Sequence, residues 1–136
     1  MASRFIIATI EGKPIAKGRP RLGRNGVYTD AVTKAAETAI GWELKKACAE
    51  PLSGTIEVSL YFTFRAPKSW RKADRERAEE EEEAHVVKPD LDNLIKLALD
   101  AANGILWRDD ALVASIEAHK CYGETEATTF NVEAHP

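Results

Sequence analysis

The chain has 136 residues, 44% of them hydrophobic and 30% charged, with a formal net charge of −3. This is the composition of one soluble globular domain, large enough to bury a core without staples. No apolar run approaches the roughly 18 residues a membrane span requires. The N-terminal apolar stretch is too short and too soon polar for a signal peptide. Cys48 and Cys121 lie far apart with no CxxC or Cys/His spacing, so they read as thiols of a reducing compartment, by default the cytoplasm, and not as zinc ligands.

Charge is distributed unevenly along the chain. Residues 1–29 carry Arg4, Lys13, Lys17, Arg19, Arg21 and Arg24 against Glu11 alone, while five glutamates stand in a row at 79–83. Residues 4–11, RFIIATIE, are β-branched and aromatic and predict a first strand. Residues 12–29 alternate glycine, proline and basic side chains, which predicts a long loop without a regular element. Thr29 or Asp30 can cap the next helix, over 31–50, with Val32, Ala36, Ala39, Ile40, Leu44 and Ala47 as its inner stripe. Gly41 interrupts that helix at a cost of about 1 kcal/mol relative to alanine.

From Thr55 the pattern alternates, with Ile56, Val58, Leu60, Phe62 and Phe64 on one side, and predicts a half-buried strand. A charged helical insertion at about 68–85, with Ser69 as its cap, has almost no apolar stripe and reads as a solvated face. An acidic helix over 91–103 ends at Gly104. Its inner stripe is Leu91, Leu94, Ile95, Ala98, Ala102 and Ile105, and Leu97 with Ala101 widens it toward a second surface suited to a subunit contact. Residues 111–122 and 127–134 read as two strands paired in a hairpin around Gly123. The whole predicts a single α+β domain: a mixed or antiparallel sheet of about four strands with two or three helices.

Chemistry concentrates in residues 88–113, KPDLDNLIKLALDAANGILWRDDALV. Asp90 stands at the mouth of the acidic helix, while Asp92, Lys96 and Asp100 follow at i, i+4 and i+8 on one face. Asp109–Asp110 comes just beyond Trp107. Carboxylates converging from different elements supply the oxygen ligands that Mg²⁺ requires. The same residues also fit a plainer account, in which Asp90 and Asp92 favour the helix dipole, Asp92–Lys96 is an ordinary ion pair and Asp109–Asp110 is a turn. Side-chain chemistry alone leaves both open. In the basic loop, Lys13, Lys17, Arg19, Arg21 and Arg24 suit phosphate oxygens, and an exposed basic connection is the alternative.

This segment resembles the signature of the RusA family of Holliday-junction resolvases, and GKPIAKGRPRLGRNGVYTD is similar to the basic loop of its phage-type members. The resemblance implies metal-binding carboxylates at Asp90, Asp92 and Asp110 and an essential lysine at Lys96, these four being catalytic. Asp100 matches a family aspartate without a catalytic role. It further implies an α+β homodimer that binds four-way DNA junctions and makes paired symmetric nicks with Mg²⁺ or Mn²⁺. The glutamate run at 79–83 is unlike a DNA-binding surface. A non-catalytic branched-DNA-binding module, a nuclease acting on other branched DNA, and an interaction protein that uses the glutamate-rich helix are the competing expectations.

Overall fold

A computed structural model describes residues 3–18, 21–24, 26–28 and 30–136. Four strands, β1 (Arg4–Glu11), β4 (Thr55–Phe64), β5 (Val113–Tyr122) and β6 (Ala127–His135), form one sheet in the order β1-β6-β4-β5. β6 is antiparallel to both β1 and β4, whereas β4 and β5 run parallel. The expected α+β domain with a mixed four-stranded sheet is therefore present, with α1 (Ala31–Ala47), α2 (Lys72–Glu80) and α3 (Leu91–Ala102) as its described helices.

Strand alternation decides where the core lies. Ile56, Val58, Leu60, Phe62 and Phe64 of β4, with Phe130, Val132 and Ala134 of β6, are buried on one face. Leu94, Ala98 and Ala102 of α3 and Leu44 of α1 complete that cluster. Each fully buried leucine there contributes roughly 1.5–3 kcal/mol relative to an exposed one. The opposite face carries Phe5, Ile7, Glu57 and Glu133, and the exposure of Phe5 and Ile7 shows that no helix covers it there.

Several expectations need correction. β5 and β6 do not pair as a hairpin, because β4 lies between them. β4 is apolar along its entire inner face and takes a central position, so the chain must cross its end to pass from β5 to β6. Gly123 makes that crossing possible: its amide donates to Phe64 O (2.9 Å), and a methyl there would stand 2.5 Å from Thr63 Cγ2. The 12–29 segment is not wholly irregular, since β2 (Arg21–Gly23) and β3 (Gly26–Tyr28) form a small antiparallel ladder.

In α1 the buried face is Thr33, Ala36, Gly41 and Leu44, while Val32, Ala39 and Ala47 are exposed. The helix has turned to pack on α3, and Gly41 is the reason it can: a side chain there would meet Ile105 Cδ1 at 3.0 Å. Leu97 and Ala101 are buried in this packed layer and so cannot form the subunit contact expected of them. Asp30 caps α1, its Oδ1 accepting from Thr33 N at 2.9 Å; Thr29 lies outside the described residues. Ser69 does not cap α2, whose N-cap position is Arg71 without a side-chain bond. α3 ends as expected, with Gly104 at φ +78 just beyond its last turn.

Nor is the glutamate run wholly solvated. Glu79 is buried, and its Oε2 accepts from Arg65 Nε and from Ala66 N, both at 2.8 Å. The Arg65 guanidinium, then the Ala66 amide, hold this carboxyl below the usual carboxylate range. A carboxyl lowered by folding stabilises above its ordinary pKa, and the contribution disappears as pH falls through the folded-state value. Glu79→Gln is thus expected to lower Tm at neutral pH, with the difference from wild type shrinking in melts taken below pH 4. Gly123→Ala should cost about 1–3 kcal/mol through overpacking; pairing it with Thr63→Ser, which removes the clashing methyl, should recover most of that loss in denaturant titrations.

Candidate active site

Two elements present the acidic residues. Asp90 is the N-cap position of α3, Asp92 lies in its first turn, and Asp110 opens a 3₁₀ turn (Asp110–Leu112) that runs directly into β5. Because β4 and β5 are parallel, the chain crosses the sheet between them through α2 and α3, and this crossover carries both ends of the acidic segment.

The local roles that would account for these residues on stability grounds are mostly unfilled. Asp90 makes no side-chain cap bond to its helix. Asp92 and Lys96 are both exposed and, among the described residues, form no ion pair; Asp92 Oδ1 accepts from the next amide, Asn93 N, at 2.9 Å. Among the described residues, no hydrogen bond or ion pair engages Lys96. Asp90 instead faces a cation: Lys88 Nζ lies 2.8 and 2.9 Å from its two oxygens. These bonds, and then the Lys88 charge itself, hold the Asp90 carboxyl below the ordinary range.

Asp110 is oriented from inside the protein. The fully buried Trp107 donates its indole N–H to Asp110 Oδ1 at 2.7 Å, and Asp110 N donates to Asn103 Oδ1 at 3.0 Å. Asp109 has the separate task of capping the 3₁₀ turn through Ala111 N. The turn that holds Trp107 is tied to the chain after α1 by Leu52 N to Leu106 O (2.8 Å) and Arg108 N to Leu52 O (3.2 Å). Periodicity and capping single out neither Trp107 nor Asn103 as a support for Asp110. The three-residue step from Trp107 to Asp110 was the available signal.

The basic segment docks against the acidic helix. Lys17 N donates to Asn93 O at 3.0 Å, and Lys17 Nζ pairs with Glu37 (3.0 Å) and with Asp100. Burial works against the Lys17 charge, but the bonds to Asp100 and Glu37 prevail and raise its pKa. Both Lys17 and Asp100 are therefore occupied in a structural ion cluster. Lys13 and Arg24 are exposed; Arg19 and the side chain of Arg21 lie outside the described residues.

A cleft of about 600 Å³ opens beside Asp90, walled by His85, Val87, Leu91 and Lys120. His85 is buried, stacked on Phe64 with ring centroids 4.1 Å apart, and its Nδ1 has no partner among the described residues. Burial, assisted by the Lys120 charge, pushes its imidazole pKa down.

A model of the family described as "Endodeoxyribonuclease RusA" matches residues 11–133. The chain belongs to this family. It is also similar to "Uncharacterized protein YqaN" of Bacillus subtilis (strain 168), 30% identical over 123 residues that cover 85% of this chain and 87% of that protein. The matched region of the RusA family chain takes in the basic segment, α3, Asp110 and most of the sheet.

The donor set has the chemistry of a site for a hard divalent cation: the exposed carboxylates of Asp90 and Asp92 and the half-buried one of Asp110, the Asp90 pair already holding an ammonium. Asp90, Asp92 and Asp110 do not close to mutual ligand spacing. Among the described residues, the group that does is Glu57, Glu133 and His135, on the open face of the sheet. There His135 Nε2 lies 3.0 Å from Glu57 and 3.8 Å from Glu133, so the cluster is self-satisfied as ion pairs. Trp107→Phe keeps an aromatic ring in the core but removes the N–H that orients Asp110. Loss of such outer support is expected to reduce nuclease activity roughly 10–100-fold, with Tm falling far less than for Trp107→Ala.

Proposed function

We propose that this chain is a metal-dependent, structure-specific endodeoxyribonuclease that resolves four-way DNA junctions by paired symmetric nicks. The observation that carries this reading is Asp90, which occupies a helix N-cap yet spends no oxygen on capping. Asp92 and Lys96, free of each other on the same helix, support it. Membership of the endodeoxyribonuclease RusA family supplies the reaction class.

In this reading Asp90, Asp92 and Asp110 hold Mg²⁺ or Mn²⁺, and Lys96 supplies a positive charge one turn beyond Asp92. The bound cation would draw charge from the scissile phosphate and lower the pKa of an attacking water. Lys96 would then stabilise charge that develops on the phosphoryl oxygens. Asp110, with one oxygen fixed by Trp107, keeps its other oxygen for the site. Lys13 and Arg24, with Arg19 and Arg21 of the same segment, would contact backbone phosphates without reading sequence, so affinity should fall steeply with salt. Two equivalent nicks call for two sites related by a two-fold axis, and hence for a homodimer. A nuclease resolving recombination intermediates would work in the cytoplasm.

One observation favours a second reading, a junction-binding module without catalysis: the three aspartates are not gathered at ligand spacing. A labelled synthetic four-way junction, compared with linear duplex with and without Mg²⁺, separates the two. The resolvase predicts symmetric nicks in the junction only, abolished by EDTA. Asp92→Asn should retain junction binding and lose cutting by at least about 100-fold, since a removed metal ligand costs more than a lost outer-shell partner. Tight binding without cutting in Mg²⁺ or Mn²⁺ would establish the binding module instead.

A further inference from the structure

Asp90 is reached through a segment with few attachments of its own. Residues 83–85 lie along the edge of β5: Tyr122 N donates to Glu83 O (2.9 Å), and His85 N donates to Lys120 O (3.1 Å). The His85 ring, stacked on Phe64 and tilted against Tyr122, anchors this end. Beyond it Val86 and Val87 are 83% and 57% exposed, too open to hold the chain by packing. Helical bonding resumes only with Leu94 N to Asp90 O.

Between these two anchors the backbone is held by a single side chain. Lys120 lies on the core-facing side of β5, in register with the buried Phe62. Its ammonium reaches over to donate to Val87 O at 2.7 Å and to Pro89 O at 2.6 Å. Among the described residues, no other hydrogen bond reaches the backbone of 86–89. A half-buried lysine that gives two of its three N–H bonds to main-chain carbonyls is a clamp, and the second carbonyl belongs to the residue immediately before Asp90.

We propose that Lys120 is a positioning residue for the reaction: it fixes the 87–89 backbone and thereby aims the Asp90 carboxylate into the metal site. The assignment rests on the nuclease reading above and adds to it a residue outside the acidic segment. Lys120 touches neither metal nor phosphate in this role. It acts through Pro89, and it binds the crossover to the strand that follows the 3₁₀ turn of Asp110. Both metal-ligand elements are thereby referred to β5, since the turn of Asp110 leads into that strand and Lys120 lies near its end.

The test compares wild type with Lys120→Met, Lys120→Gln and Lys120→Arg. Methionine keeps the length and the packing of the stem but donates nothing; arginine can span both carbonyls; glutamine has a shorter reach. Three quantities decide: Mn²⁺ affinity of the DNA-free protein by electron paramagnetic resonance, kcat and KM on the four-way junction, and Tm. Lys120→Met is expected to weaken Mn²⁺ binding and lower kcat roughly 10–100-fold, with KM for the junction unchanged. Arginine should restore most of both, with Lys120→Gln in between. If the methionine variant does not fold, the glutamine and arginine variants carry the comparison. Mn²⁺ affinity and kcat at wild-type level in Lys120→Met or Lys120→Gln would overturn the proposal. So would an equal loss of KM and kcat that arginine fails to rescue, because that marks a DNA contact or general destabilisation. A wild-type protein that cuts no junction removes the nuclease reading itself, a failure seen before any variant is compared.

Discussion

The bond from Trp107 to Asp110 joins the interior to the candidate site. An indole that is fully buried must satisfy its N–H, because leaving a polar group unpaired in the core costs about 1–3 kcal/mol. The nearest solution is a carboxylate at the surface, and the packing that buries Trp107 therefore fixes Asp110 as well. The same turn is laced to Leu52 by two backbone bonds, so the position of this aspartate is set by the α1–β4 connection as much as by its own loop. Core and candidate site are not separable here.

A second constraint comes from parallel pairing. Two parallel neighbours cannot be joined by a tight turn and need a crossover, here the whole span between β4 and β5. α2 uses the first part of it, and its one deeply engaged charge, Glu79, closes the end of β4 through Arg65 and Ala66. α3 uses the second, packing its apolar side against the sheet and α1. Its entrance is left exposed at Asp90 and Asp92. The acidic groups thus lie where the crossover begins its last helix and where it re-enters the sheet.

Much of this was legible in the sequence. The strand at 4–11, the alternation from Thr55 and the glycine stop at Gly104 are local signals, and each has its expected place. The acidic segment could be read because its aspartates sit at element boundaries that capping and periodicity both mark. What could not be read depends on distant partners. Gly41 looks like a cost until Ile105 is set against it, and Leu97 looks spare until α1 covers it. The order of β5 and β6 was misread because adjacency in sequence favours a hairpin, whereas the apolar inner face of β4 claims the centre. Lys17 looked available for phosphate; only the fold brings Glu37 and Asp100 to it. Lys120 had a weak signal of its own, a lysine on the core-facing side of an alternating strand.

The strand order also bears on how the chain acquires its shape. β6 is the last of the four strands in chain order, yet it is inserted between β1 and β4, with Arg4 opposite Ala134 at one end of the ladder. During synthesis β1 therefore has no partner in the sheet until almost everything else has emerged, and β4 waits with one edge open. Contacts of such high sequence separation form slowly, since the loop entropy must be surrendered before they are made. The portion from β4 through α3 to β5, which contains the acidic segment, is complete in the chain before β6 emerges. The sheet then closes from its middle, and the nascent chain must keep the apolar flank of β4 from pairing elsewhere until β6 arrives.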